Sequence, residues 1–487
     1  MSARIVYQDV APGAADDAAV TATGQDAEST VSLLPFGSSN AKNYITLERN
    51  LWVLDGTYIP YDNSSISYRS EDISDANGDF STPKIITINF DEQYTSLGIN
   101  ITFTGDTYCK NLNIKWYQES TQLDDKDFSP DGFSYFCENT VIAYDRVVIT
   151  MYGTQIPLRR IRVDEILFGI VRVFYEDELR TGSVKIQQEI DNTGLYLPSN
   201  ALDWILSSND DVEFVFQTKQ IVKAYNDENI IGAFYIEDSD RAAENIYDIK
   251  CIDAIGVLDD DPFPDAYYSN KNALVLAQEI CGDFSVEMET ALQNKTISGV
   301  LKDHTRRSAL QQLCFALGAV ADTSGTEKIK IFALPTDTPI EIGANRTRTG
   351  ATVRIDPIVT EIRLVAHSYS TSGSDNPVEI NGTTYYDTQT VVTIHNPDVT
   401  ANEKPNVVEV SDCTLISPDI VQNIAQHFYD EAVKRRTHKL KFRLYNELPG
   451  AYVQTVTPWG TNILGHYIKA SIMLSSFALS DAEVIAE

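Results

Sequence analysis

Basic residues are scarce in this chain: 38 Lys and Arg stand against 70 Asp and Glu, a formal net charge of −32. Phosphate backbones are held by Lys and Arg, so this balance argues against a nucleic-acid partner. It equally disfavours adsorption to an anionic membrane face; what the surplus supplies is solubility and repulsion between free protomers. Long apolar runs are missing too, none approaching the ~20 residues that span a bilayer. The N-terminus shows no basic region followed by an apolar core. The six cysteines (Cys109, Cys137, Cys251, Cys281, Cys314 and Cys413) form no CxxC pair, which excludes a disulfide framework. Cys109 and Cys137 are the one pair left open as a bridge. The six histidines form no HExxH or other ligand-spaced pair. No Gly-x-Ser-x-Gly elbow, papain-like cysteine or phosphate-cradling loop is present. Asp259-Asp260-Asp261-Pro262 lacks the alternating ligands and turn glycine of a calcium loop and reads as a solvated turn. Neither a metal nor a cofactor is expected.

What the chain does have is aromatic and β-favouring sequence: 25 Tyr, 19 Phe and 43% hydrophobic residues in 487. That is ample for packed cores, in about three domains by length. Residues 1–43, rich in Ala, Asp, Ser, Thr and Gly with one apolar island at 31–36, read as an extended arm that orders against a neighbour. From Tyr44 short alternating runs follow one another: Leu51–Gly56, Ile85–Phe90, Gly98–Phe103, Leu112 to Trp116, Val147–Met151 and Ile161–Gly169. Such a series, broken by turn residues, predicts an antiparallel sandwich over 44–170. Its loops carry Trp52, Tyr58 and Tyr61 near Asp55, Asp75 and Asp79, with Tyr68 and Phe80 close by. Aromatic faces with carboxylates are the residue types a sugar site uses, so these form the candidate carbohydrate set.

Residues 183–259 read as short strands around one helix. Val184 and Ile186 alternate, Ser199–Leu206 looks helical with a Ser or Asn cap, and Val212, Phe214 and Phe216 alternate again. Gly232–Ile236 and the Tyr247, Ile249, Cys251 series follow. A barrel over 171–262 would use these strands without leaving an edge. A helical insert, 263–335, carries Ala273 to Cys281 and a helix from about Arg306 to Ala319, capped by Thr305 or Asp303 and ended by Gly318. Strands return over 336–487, a second barrel, with a hairpin at Asn381-Gly382. One long helix is expected there, from Ser417-Pro418 to Lys434-Arg435-Arg436. The fold class is mainly β with α insertions.

Five elements in order carry a resemblance: a strand ending Glu189-Ile190-Asp191, a helix after Leu197-Pro198, a charged-then-aromatic strand with Val212, Phe214 and Phe216, then Ile-Ile-Gly-Ala-Phe-Tyr-Ile at 230–236 and Lys-Cys-Ile-Asp-Ala-Ile-Gly-Val-Leu at 250–258. Their order resembles the hub or tail-tip proteins of phages and phage-like particles, those of Gram-positive-infecting phages above all, over roughly residues 171–487. The 44–170 pattern resembles a discoidin or galactose-binding jelly-roll. The hub resemblance implies a structural virion protein that closes the tail tube and links it to host-attachment parts, assembled in the host cytoplasm. Its partners would be copies of itself, as a trimer, and tail-tube, distal-tail and other baseplate proteins. A carbohydrate-recognising receptor-binding protein of the tail, engaging a cell-surface glycan through the sandwich, is the alternative. A cell-wall hydrolase ranks behind both. With 70 acidic residues a catalytic carboxylate pair cannot be singled out; Glu119, Glu165, Glu189 and Asp191 are arbitrary choices, and no enzyme activity is expected.

Overall fold

The computed structural model describes residues 3–8, 14–26, 48, 68–168, 171–208, 216, 218–227, 229–400, 403–445, 447–457, 459–474 and 478–486. Two compact units form, one from Tyr7–Arg172 with Val212–Ile221, the other from Met1–Val6, Val173–Asp211 and Val222–Glu487. Both are dominated by strands, so the chain is mainly β with a few short helices.

In the smaller unit one sheet folds over itself. The 25-residue strand Asp79–Phe103 bends through several register shifts along Ser134–Gly153. Its first half also pairs with Ala19–Thr23, and its second half with Arg162–Phe168. Leu112–Gln118 extends the sheet beyond Ser134–Gly153. Ile86, Ile88, Leu112, Ile114 and Trp116 from one layer share a core with Ile99, Ile101, Val163 and Phe168 from the other. Each fully buried aliphatic of this kind stabilises by roughly 1.5–3 kcal/mol. Cys109 and Cys137 lie in this core as free thiols.

The N-terminal stretch corrects the arm expectation wherever it is described. Ala19–Thr23 pairs within the chain's own sheet, and in Ala3–Gln8 the alternating Ala3, Ile5 and Tyr7 are buried. The alternation is there in Ala-Arg-Ile-Val-Tyr-Gln, and burial in cis outcompetes waiting for a neighbour. The apolar island at 31–36 and the runs Leu51–Gly56 and Val212–Phe214 lie outside the described residues.

In the larger unit the two stretches expected as separate barrels contribute to one continuous sheet. Its strands run Thr347–Ile355, Arg436–Arg443, Ala478–Ala486, Asn462–Leu474, Lys185–Glu189, Ala201–Ser207, Ile246–Ile252 and Asn229–Ala243. The joint is Lys185–Glu189 in antiparallel register with Lys469–Met473, nearly 300 residues away in sequence. Each half ends in a strand with unpaired backbone groups, and pairing them removes two open edges at once. Ser199–Leu206 is a second correction: Ala201–Ser207 is a strand, with Leu202, Trp204 and Leu206 buried and Asp203 exposed. The apolar spacing is two, and the Asn200 side chain that looked like a cap serves the sheet instead. It accepts from Glu189 N and donates to Asp322, Thr323 and Ser324.

The insert is mixed α/β. Arg306–Leu317 begins at Thr305, whose side chain accepts from Ser308 N, and ends at Gly318 in the left-handed region at φ 65°. Leu310, Leu313 and Leu317 join a core with Ala273–Cys281 and with Ile362, Leu364, Val410, Ile424 and Phe428. The sheet of Pro377–Ile380, Thr383–His395, Glu361–Ser370 and Val407–Val410 therefore packs in the helical core, where a place in the second barrel was expected. Asn381 (φ 50°) and Gly382 (φ 79°) make the expected two-residue hairpin turn. The last helix is shorter than predicted, Val421–Ala432: Ser417 O accepts from Ile420 N and Val421 N in a preceding turn, and Arg436 already starts a strand.

Candidate interaction surfaces

Alternation along the joined sheet sends one set of side chains to the core and the other to solvent. Ile186, Leu202, Leu440, Phe442, Ala470, Ile472 and Val484 are buried. On the opposite face, registered neighbours form rows of alternating charge. Lys439 faces Glu483, Glu483 faces Lys469, and Lys469 faces Glu189. Lys441, Asp481, Ser471 and Gln187 follow in the next row. In a third, Lys185 faces Asp203, Asp203 faces Lys250 and Lys250 faces Asp238. Lys439 Nζ lies 2.8 Å from Glu483, Lys441 Nζ 3.1 Å from Asp481, and Gln187 Nε2 donates to Ser471 Oγ at 2.7 Å. Each row balances its charges, so this wall is wet and neutral, and the chain's acidity is carried elsewhere.

The outer strand of this sheet, Thr347–Ile355, is paired only with Arg436–Arg443 among the described residues. A register shift between Arg348 and Thr352 distorts its first half. Beyond it Val353 and Ile355 are 40% and 61% exposed. Bulges and charges guard natural sheet edges; here Arg354, paired with Asp356, stands between the two apolar residues, and the regular backbone past the shift is what can template another strand.

Beside the Lys185–Glu189 joint lies a cavity of about 560 Å³, lined by Glu189, Asp191, Tyr196, Arg307, Gln311 and neighbours. Its polar groups are already engaged. Asp191 accepts from Thr193 N, Thr193 Oγ1 and Tyr196 N. Arg307 donates twice to Leu197 O and once to Asp259, and Gln311 Nε2 donates to Gly194 O at 2.9 Å. Glu189 is paired with Lys469. These contacts hold the 190–198 loop in place and leave no acid–base pair free. Tyr196, 74% exposed, stands at the rim.

Of the candidate sugar set, Trp52, Asp55, Tyr58 and Tyr61 lie outside the described residues. Asp79 opens its strand paired with Lys110 at 3.0 Å. Tyr68 is buried with its hydroxyl donating to Thr23 O, and Phe80 is buried as well. Burial raises the carboxyl pKa of Glu165, with Asp164 adding to it. Burial also pushes the Cys109 thiol up to about 12, which leaves it unreactive.

Sequence spacing gave no sign of His367. It stands buried between Asp387 (Nδ1 to Oδ2 2.8 Å) and the Ser411 carbonyl (Nε2 to O 3.1 Å), both on neighbouring segments of its sheet. Both ring nitrogens are thus engaged by neighbours within the same sheet. Among the described residues no group of three or more His, Cys, Asp or Glu could hold a metal ion, and no helix is long and apolar enough to cross a membrane.

No protein-family profile matches the sequence, and no curated protein matches it. Several solved structures are similar in backbone path. A tail protein from Neisseria meningitidis MC58 is 12% identical, with TM-score 0.48, over 65% of this chain and 94% of that one. The 43 kDa tail protein of prophage MuSo2 from Shewanella oneidensis is 10% identical, with TM-score 0.46, over 65% and 96%. Prophage tail protein gp18 from Listeria monocytogenes EGD-e is 13% identical, with TM-score 0.43, over 65% and 91%.

Proposed function

We propose that the chain is a structural subunit of a phage or phage-like tail. In this reading it is a hub or tail-tip component, assembled in the host cytoplasm, that closes the tail tube and links it to attachment parts. Its partners are other copies of itself, three to a ring, and tail-tube, distal-tail and baseplate proteins. The observation that carries the reading is the open edge at Thr347–Ile355 of a sheet whose solvent face is wet and charge-balanced. A wall of that kind suits a hydrated channel, and an edge with Val353 and Ile355 exposed suits strand addition between subunits. The stretches at Glu189-Ile190-Asp191, 230–236 and 250–258 keep their places in the order of the hub resemblance and support the reading, while Ala201–Ser207 is a strand where that order had a helix. No reaction is ascribed to the chain, because the polar groups of the cleft beside the joint are spent on holding their own loop. The smaller unit serves as a discoidin-like packing module. Tyr68 and Phe80, being buried, offer no stacking face to a sugar.

Size-exclusion chromatography with light scattering on the full chain tests this. The expected result is a discrete oligomer, a trimer. Val353→Lys with Ile355→Lys should give monomers whose thermal midpoint is unchanged. A wild-type chain that stays monomeric, alone and with its tube protein, contradicts the reading.

A further inference from the structure

A second sheet end is open as well. In the smaller unit, Thr121–Phe128 is the last strand of its sheet and pairs only with Leu112–Gln118 among the described residues. A register shift between Trp116 and Tyr117 disturbs its start at Leu123, and from Asp124 onward the pairing is regular. That regular half carries Asp124, Asp125 and Asp127, and its one cation, Lys126, is turned to Glu138 O at 2.8 Å. The regular half of the other edge, Thr352–Ile355, carries Arg354 and no acid, with Arg348 ahead of it in the same strand. One open edge is acidic and the other basic. We propose that Thr121–Phe128 of one copy adds as a strand to Thr347–Ile355 of the next, so that each protomer presents its acidic edge to a neighbour's basic one. The pairing rests on the assembly reading, since it takes the outer edge as an interface between copies.

A ring excludes the simplest alternative. Identical strands paired antiparallel make a two-fold contact, which occupies both edges and stops at a dimer, whereas a ring of three is built head to tail from two different patches. Self-pairing would also gather Arg348 and Arg354 of both copies along one seam, where like charges destabilise a sheet. The acidic edge removes that cost. Asp127 accepts from Asn113 Nδ2 at 3.0 Å, and Asp124 accepts from Asn139 Nδ2 and Asp125 N, both at 2.8 Å. Neither carboxylate has an ion pair among the described residues. Arg348 is exposed and likewise has none. Arg354 and Asp356 form an exposed surface pair, of the kind that contributes little and exchanges readily. Side chains alternate along both strands, so the register that sets Arg354 beside Asp127 lays Val353 and Ile355 along Phe128 and the aliphatic stem of Lys126. The other terminal strands fit less well. Val171–Phe174 brings a further Arg, Ala19–Thr23 has no charge, and Pro377–Ile380 opens on a residue without an N–H. Glu409 of Val407–Val410 already lies 3.7 Å from Arg363.

Light scattering on full chains with reversed edge charges tests the pairing. Asp124→Lys with Asp127→Lys should weaken self-association at least ~tenfold, and so should Arg348→Glu with Arg354→Glu. A chain carrying all four changes should regain most of the wild-type association, because its edges again differ in sign. Thermal midpoints read alongside separate lost pairing from lost folding. Cross-linking needs no charge reversal and guards against a reversed chain that fails to fold. Under mild oxidation, Asp127→Cys chains mixed with Arg354→Cys chains should form disulfide-linked pairs that neither forms alone, since the native cysteines described are all buried. Association unchanged by reversal at Asp124 and Asp127, or oligomers without the mixed cross-link, overturns the proposal. If Val353→Lys with Ile355→Lys still disrupts those oligomers, the assembly reading stands without it. A wild-type chain that stays monomeric overturns both.

Discussion

In the smaller unit, buried charge is answered by buried charge. Glu48 and Arg162 have fully buried side chains and pair directly, and Glu48 also accepts from Arg160 N at 2.8 Å. Asp26 pairs with both Arg69 and Arg160 next to them. In the larger unit, by contrast, Asp253 and Asp322 are buried among neutral donors. Thr323 Oγ1 and Gly256 N donate to Asp253, while Asn200 Nδ2 and Ser324 Oγ donate to Asp322. Burial pushes the Asp253 carboxyl up to about 6, against the hydrogen bonds that hold it down, and raises Asp322 for the same reason. The first arrangement fails when one partner is removed. The second responds to a proton.

The largest effect expected from this contrast is at Glu48. Glu48→Ala removes the buried carboxylate that pairs with Arg162 and accepts from Arg160 N, and should cost about 3–5 kcal/mol, read by urea unfolding. Hydrogen exchange should place the loss in the smaller unit. Glu48→Met with Arg162→Leu should recover part of it, since the two charges leave together while Arg160 N still loses its acceptor. A cost below about 1 kcal/mol for Glu48→Ala would dissolve the contrast.

Asp253 comes next. Its folded pKa lies above the ordinary 3.8, so the native state holds the proton more tightly. Its stabilising contribution is complete below 3.8 and is lost as pH rises through about 6. Asp253→Asn keeps an acceptor for Gly256 N and cannot ionise. Its stability should therefore stay flat over that window and exceed wild type above it, by up to ~3 kcal/mol. Parallel pH profiles for variant and wild type would remove the claim.

Smaller effects sharpen the picture. Thr305→Ala removes the acceptor for Ser308 N at the start of Arg306–Leu317 and should cost about 1 kcal/mol by thermal melting. Lys439→Gln, in the exposed charge rows, should cost a few tenths of a kcal/mol and nothing resolvable at ~1 M salt. A much larger cost would mean that the sheet face is no ordinary solvated surface.

Local features were legible in the sequence: the Thr305 cap, the Gly318 stop, the Asn381-Gly382 turn and the alternation of Ile85–Phe90 and Leu112 to Trp116. Each is decided within a few residues. Asn200 misled for a physical reason, since a helix cap and a tertiary hydrogen-bond hub demand the same side chain. The joint between Lys185–Glu189 and Lys469–Met473 was not legible, because register between distant strands leaves no mark in either one. For the same reason the sheet containing Glu361–Ser370 was expected in the wrong core. Lys434-Arg435-Arg436 was visible as a helix-ending run of cations. Its convergence with His466, from another strand, was not. The exposure of Val353 and Ile355 was equally hidden, as alternation announces a strand without saying which neighbours it keeps.

The central claim is that Thr347–Ile355 is an edge awaiting another subunit. Hydrogen exchange on the full chain, diluted and concentrated, measures it most directly. The amides of 351–355 that point away from Arg436–Arg443 should exchange freely in dilute protomer and become protected as the oligomer forms, while those of the inner strand Lys185–Glu189 stay constant. Oligomers that form with the outer edge still exchanging freely would contradict the account.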